Sequence, residues 1–226
     1  MCGRYAFFAP ADAVRRWFGV PFVPELAARY NIAPTQDVPV LREREPGHRE
    51  VVLLRWGLVP SWATDPAIGQ RMINARAETL AEKPSFRTAL RRRRCVVLAS
   101  GWYEWQKTAT GKQPFFLHRH DGEPLAFAGL WEQWVDRGSG EAIQSCTIVT
   151  KAAPPALAAI HDRMPAVLAQ EALASWLDPA VTDGATLAPL LGSAEAGSIE
   201  ARAVSRAVND ARNEGPQLVE PLAGAR

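Results

Sequence analysis

Cysteine is scarce: three in 226 residues, at positions 2, 95 and 146, with no C-x-x-C pair among them. An odd, scattered set cannot form a disulfide framework. Histidine is equally sparse, and the spacing of His48, His118, His120 and His161 matches no zinc motif, so no metal and no organic cofactor is expected. His118 and His120 alternate as neighbours on one face of a surface strand would. Charge of one sign is also lacking. Lys and Arg total 26 against 24 Asp and Glu, a formal charge of +2. That near-balance excludes a histone-like polycation, because non-specific DNA affinity scales with phosphates neutralised, but it leaves room for a local basic groove. No apolar run approaches the 18 residues that mark a membrane span, and the apolar stretch at the N-terminus is too short for a signal peptide. Repeats and low-complexity linkers are absent. The expectation is a soluble cytoplasmic protein, read as a monomer for want of any oligomerisation signal.

What is present reads as one α+β domain, with a mainly antiparallel sheet or barrel-like core and peripheral helices. Strands are expected at Glu50–Leu58, Cys95–Ala99, Trp102–Lys107, Pro114–His120, Leu125–Trp134 and Cys146–Thr150. The turn signals Thr110-Gly111-Lys112, Asp121-Gly122 and Gly138-Ser139-Gly140 separate several of them. Successive strands without intervening helices favour antiparallel pairing. Helices are expected at Asp12–Phe18, Pro155–Ile160, Gln170–Leu177 and Ala185–Leu191, and Ala203–Pro221 reads as β or extended chain. Cys95 and Cys146 sit in apolar β-like runs and read as small buried hydrophobes. Arg91–Arg94 is the loudest charge run and reads mostly as a solvated face. Eight Trp is a high count. Trp56, Trp62, Trp102 and Trp105 cluster around Gly and Pro rather than in helical stripes; most should be core or core-edge, although a loop Trp beside Arg also suits base stacking.

Cys2 carries the most specific chemistry. If Met1 is removed, the chain begins with an α-amine and a thiol on adjacent carbons. An α-amine titrates at about 7.7–8.0, against about 10.4 for Lys. Roughly a third of it is neutral at pH 7.4 and able to attack a carbonyl. The thiol can then close on the imine carbon to give a five-membered thiazolidine, which only an N-terminal Cys can do.

Six motifs follow in order: Cys2-Gly3-Arg4-Tyr5, Tyr30-Asn31-Ile32-Ala33-Pro34-Thr35, Arg55-Trp56-Gly57-Leu58-Val59-Pro60-Ser61-Trp62, Ile73-Asn74-Ala75-Arg76-Ala77-Glu78-Thr79, Gly101-Trp102-Tyr103-Glu104-Trp105 and Ile160-His161-Asp162-Arg163-Met164-Pro165. Phe127–Glu132 and Val204–Asn209 extend the pattern. Together they resemble the SRAP (SOS response-associated peptidase) family over residues 1–221, leaving 222–226 as a short tail. The resemblance implies the SRAP fold and a DNA-damage-response protein that binds single-stranded DNA and traps abasic sites. Its N-terminal Cys would condense with the ring-opened sugar aldehyde to a covalent thiazolidine crosslink that shields the lesion. Carried over, Cys2 is the nucleophile, with Asn74, Glu104 and His161 around it. Imine formation moves a proton from the amine and expels a water, which is general acid–base and lyase-like work. Glu104, between Trp residues, would have a raised pKa; read alone it is an exposed carboxylate on a hairpin strand. His161 suits proton transfer at the sugar hydroxyl, and Asn74, otherwise a turn or cap residue, would orient the amine or the sugar. Arg4, Arg76 and Arg163 would hold phosphates. Pro34 and Trp62 would wedge or stack at the gap, with Ala63 standing where some family members carry a second Trp.

The family's peptidase label implies a cysteine-type autopeptidase step that exposes Cys2. Two other classes stay open at this level. In an N-terminal-nucleophile hydrolase the Cys2 thiol attacks amides, which needs an oxyanion hole. A non-catalytic single-strand-binding module would not need Cys2. The expected partner is single-stranded DNA with abasic sites, including junctions with duplex, and the expected place is the cytoplasm, on the nucleoid during DNA damage.

Overall fold

The computed structural model describes residues 2–194 and 198–222. Two sheets share one core. Five strands close into a ring: β3 (Asp37–Glu45), β4 (His48–Trp56), β6 (Arg94–Ala99), β9 (Leu125–Val135) and β10 (Ala142–Ala152). The order runs β10-β4-β3-β6-β9, and β9 returns to pair with β10. Two three-residue strands extend it, β5 (Asn74–Arg76) and β11 (Arg163–Pro165), both paired to β10. The second sheet is antiparallel, in the order β12-β8-β7-β1-β2, from β1 (Tyr5–Phe7), β2 (Arg29–Ile32), β7 (Gly101–Thr108), β8 (Gly111–Arg119) and β12 (Ile199–Ala203). Pairing is mainly antiparallel as expected, except that β10 runs parallel to β4 and β5.

Burial explains the composition. Trp56, Trp102 and Trp176 are fully buried with Tyr5, Phe18 and Phe127. Tyr5 packs edge-on against Trp56 and Phe127, and Trp102 does the same against Phe127. These edge-to-face contacts add to area burial where the two sheets meet. Trp56 lies on β4, and Trp102 and Trp105 lie on β7, within the strands expected there, whereas Trp62 is in a loop. Cys95 and Cys146 are buried as expected. His118 is on β8, but His120 lies beyond its end.

Helices are short and peripheral: α1 (Ala11–Phe18), α2 (Arg87–Arg92), α3 (Pro155–Ala158), α4 (Leu173–Leu177) and α5 (Gly184–Leu187). α1 ends at Gly19 with φ +64°, the left-handed cap that glycine adopts without strain. The Arg run behaves differently from a solvated face. Arg91 and Arg92 are exposed on α2, but Arg93 pairs with Glu132 at 2.7 Å and Arg94 is buried. The Arg94 guanidinium donates to the carbonyls of Leu90, Trp176 and Asp178. Five N–H donors let one Arg satisfy several helix-end carbonyls at once, so it works as a strut beneath α2 and α4. The segment expected to be β or extended over 203–221 contains only the end of β12, followed by 3-10 turns at Arg206–Asn209 and Pro216–Leu218. Of the expected tail, Leu222 is tied by its N–H to the Ala203 carbonyl, and 223–226 lie outside the described residues.

Candidate active site

β10 organises the site. On one edge, β5 sets Ile148 opposite Asn74 and Thr150 opposite Arg76. On the other edge, β11 sets Ala152 opposite Arg163. Asn74 is therefore on a strand rather than in a turn or cap. The loop leading to it is held by the 3-10 turn Pro66–Arg71, capped by Asp65, and by the contact of Gly57 with Gly69. A Cβ on Gly57 would meet the Gly69 carbonyl oxygen at 2.7 Å, and Gly57 has φ +128°, so no other residue fits there.

Cys2 precedes β1, which is clamped between β2 and β7. It is fully buried. Its carbonyl accepts a 2.8 Å hydrogen bond from Asn74 Nδ2, so Asn74 fixes the backbone that carries the thiol. Asn74 Oδ1 is buried and has no hydrogen-bond partner among the described residues, leaving an acceptor beside the nucleophile. Burial pushes the Cys2 thiol well above its ordinary value, with the Glu104 carboxylate as a second cause.

Glu104 lies on β7, two residues after Trp102 and so on the same face. Only 3% of it is exposed, which overturns the reading of a solvent-facing carboxylate. Burial raises its pKa to about 7, against the opposite pull of the positive chain terminus. His161 Nε2 stands 3.9 Å from Glu104 Oε2. On the other side of the ring, His161 Nδ1 accepts the backbone N–H of Arg163 at 3.0 Å and lies 2.9 Å from Asp162 Oδ1. Burial also lowers the His161 pKa. The four expected catalytic residues are linked as two pairs: Asn74 hydrogen-bonds Cys2, and Glu104 neighbours His161 while its charge acts on the Cys2 thiol.

The expected phosphate ligands differ among themselves. Arg76 is exposed, and its charge helps to lower the Glu78 pKa. Arg163 is clamped, with Nη1 and Nη2 forked onto Glu78 at 2.6 and 2.9 Å and Nη2 also on the Thr150 carbonyl. Arg4 donates through Nη1 to Asn31 Oδ1 and to the Val208 carbonyl, both at 2.8 Å. Buried Asn31 donates in turn to the carbonyls of Val208, Asp210 and Asn213. Pro34 is half-buried in the turn between β2 and β3, and Trp62 is 54% exposed on the loop after β4. Sequence reasoning missed Asn31 and Glu78, although both stand inside the motifs quoted above. Among the described residues, no three His, Cys, Asp or Glu side chains come together as a metal site requires.

A family model described as SOS response associated peptidase (SRAP) matches residues 1–211. The chain belongs to the SRAP family. It is 40% identical over 224 residues to the abasic site processing protein YoqW of Bacillus subtilis, covering 97% of this chain and 99% of YoqW. It is 35% identical to the abasic site processing protein YedK of Escherichia coli, covering 98% and 100% of the two chains. Against the Gallus gallus abasic site processing protein HMCES it is 35% identical, over 85% of this chain and 66% of HMCES. A solved structure of a protein from Bacteroides thetaiotaomicron superposes with a TM-score of 0.85 at 27% identity, covering 98% of this chain and all of the other. The SRAP fold, with its closed five-stranded ring, is thus the scaffold that carries Cys2, Asn74, Glu104 and His161.

Proposed function

We propose that this SRAP protein processes abasic sites in single-stranded DNA by condensing its N-terminal Cys2, freed of Met1, with the lesion's aldehyde. The reading comes from the family, whose relatives are named abasic site processing proteins. The observation that carries it is Glu104: a buried carboxylate raised to about 7, whose charge acts on the Cys2 thiol. A group that titrates near neutral pH is present as acid and as base together, which general catalysis needs.

The neutral α-amine attacks the aldehyde carbon, and a proton moves from nitrogen to oxygen to give a carbinolamine. The acid form of Glu104 protonates the departing hydroxyl, the C–O bond breaks as one water leaves, and the nitrogen lone pair forms an iminium whose N–H proton returns to the Glu104 carboxylate, giving the neutral imine. The thiol adds to the imine carbon and its proton passes to nitrogen, giving the thiazolidine. Asn74 holds the Cys2 carbonyl throughout, and His161 serves the sugar hydroxyl. Arg4, Arg76 and Arg163 bind phosphates, while Pro34 and Trp62 pack against the gap. Removal of Met1 is the step to which the peptidase label applies.

The raised pKa of the buried thiol disfavours the competing hydrolase reading, which needs a thiolate first. Imine formation does not, because the amine acts first. The test is intact mass before and after incubation with an abasic single-stranded oligonucleotide. The expected result is loss of Met1, then a heat-stable species equal to protein plus oligonucleotide minus one water. Cys2→Ser should give only a labile imine. Mature wild-type protein with no adduct overturns the reading.

A further inference from the structure

Trp102 is fully buried, and its indole Nε1–H has no hydrogen-bond partner among the described residues. The same holds for Arg163 Nε–H, although the outer nitrogens of that guanidinium are taken by Glu78 and Thr150. A buried donor without an acceptor is costly, so each of the two needs a reason. Both residues line the same cavity of about 10 Å³, together with Glu104 and His161. The rest of its wall is apolar, including Leu117 and Met164. That volume is close to the roughly 10–15 Å³ that one water requires, and a water needs two to four polar partners. The 3.9 Å between His161 Nε2 and Glu104 Oε2 is too long for a direct hydrogen bond and is a separation at which a bridging water is the question to ask.

We infer that this cavity is a single-water site, in which the water accepts from Trp102 Nε1–H and Arg163 Nε–H and donates to the Glu104 carboxylate. The inference deepens the proposed function and rests on it for its catalytic meaning. Trp102 and Arg163 become positioning residues that act on Glu104 through the water. A water polarised by two donors, one of them cationic, is a strong donor to a carboxylate. It favours the ionised form of Glu104 and so opposes the effect of burial. The other charged or titratable groups around Glu104 are His161, Asp162 and Arg163 ahead of and within β11, and the Cys2 thiol and chain terminus ahead of β1. From β8 the residue opposite Glu104 is Phe115, which does not titrate.

Two measurements test it. A high-resolution crystal structure of the wild-type protein should show one water within hydrogen-bond distance of Trp102 Nε1 and Arg163 Nε. In Trp102→Phe, which removes one donor, the pH midpoint of the crosslinking rate should move upward by about one pH unit, as expected for loss of about 1 kcal/mol of hydrogen bonding to the ionised form. Affinity for undamaged single strand should be unchanged. A dry cavity overturns the inference, as does a midpoint that stays in place. If Trp102→Phe fails to fold, the wild-type crystal structure decides alone. Failure of the underlying reading looks different: a wild-type protein that never crosslinks, whatever its cavity holds.

Discussion

Glu104 should make the protein less stable where the protein is proposed to work, and the size of the effect follows from its burial. The pKa rises from an ordinary 4.5 to about 7. At 1.36 kcal/mol per pH unit, ionising this group in the folded protein is about 3 kcal/mol harder than in the unfolded chain. A folded-state pKa above the unfolded one means that the folded protein binds the proton more tightly. The stabilisation is therefore fully present below pH 4.5 and is lost as the pH rises through 7. Glu104→Gln keeps the shape and removes the titration. Relative to wild type, the variant should be nearly equal in stability at pH 4.5 and about 3 kcal/mol more stable at pH 8. For a chain of this size that is roughly 6–12 °C in Tm. Thermal unfolding followed by Trp fluorescence at several pH values reads the difference, because titrating groups remote from Glu104 contribute equally to both proteins. A gap that does not change between pH 4.5 and 8, or a variant less stable at pH 8, refutes the burial argument. The same variant should lose most of its crosslinking rate, the signature of a group held at a stability cost for its chemistry.

Three further outcomes are expected. Thr35 has φ +74°, the sole non-glycine with positive φ among the described residues. Since that region costs a β-branched residue roughly 1–2 kcal/mol, Thr35→Gly should raise urea stability by about 0.5–1 kcal/mol after glycine's own entropy cost; a loss would show the turn is unstrained. Arg76→Ala should lower the salt slope of single-strand binding by about 0.7, whereas Arg163→Ala should lower it by less than half as much, because Glu78 already neutralises Arg163; equal changes would refute the distinction. Asn31→Ala strips donors from three carbonyls and the acceptor from Arg4, so it should cost at least about 2 kcal/mol and speed hydrogen exchange over residues 205–213. Unchanged exchange there would mean the segment is held by other contacts.

The long strands were legible because their alternation and turns follow strand periodicity, and Glu104 was legible as a carboxylate flanked by Trp. β3 was not. Its Pro39 argues against an interior strand, yet β3 lies between β4 and β6. At Pro39 itself the strand has a partner on one side alone: β6 pairs with β3 only from Val40 to Arg42, while β4 sets Leu53 opposite Pro39. β5 and β11 have three residues each, too few to show a period, although they carry Asn74, Arg76 and Arg163. Arg94 looked like one more exposed cation because nothing in its neighbours reveals that four carbonyls from two helix ends converge on it. Asn31 was hidden for a related reason: its partners Val208, Asp210 and Asn213 are about 180 residues away in sequence and contribute only backbone.

One physical condition links the four catalytic candidates. The pocket that takes Cys2 and Glu104 out of water raises both pKa values, with opposite consequences for reactivity. The thiol becomes a poorer nucleophile towards amides or stray electrophiles, while the carboxyl gains a proton to donate at neutral pH. An α-amine needs no depressed pKa to react, since a substantial part of it is neutral near pH 7.4. The order of bond formation in the proposed reaction is therefore set by burial: the amine attacks first, Glu104 assists loss of water, and the thiol acts only once an imine stands beside it. Asn74, by holding the Cys2 carbonyl at 2.8 Å, limits the motion of both nucleophiles between those steps, as expected of a group that converts two successive attacks into intramolecular ones.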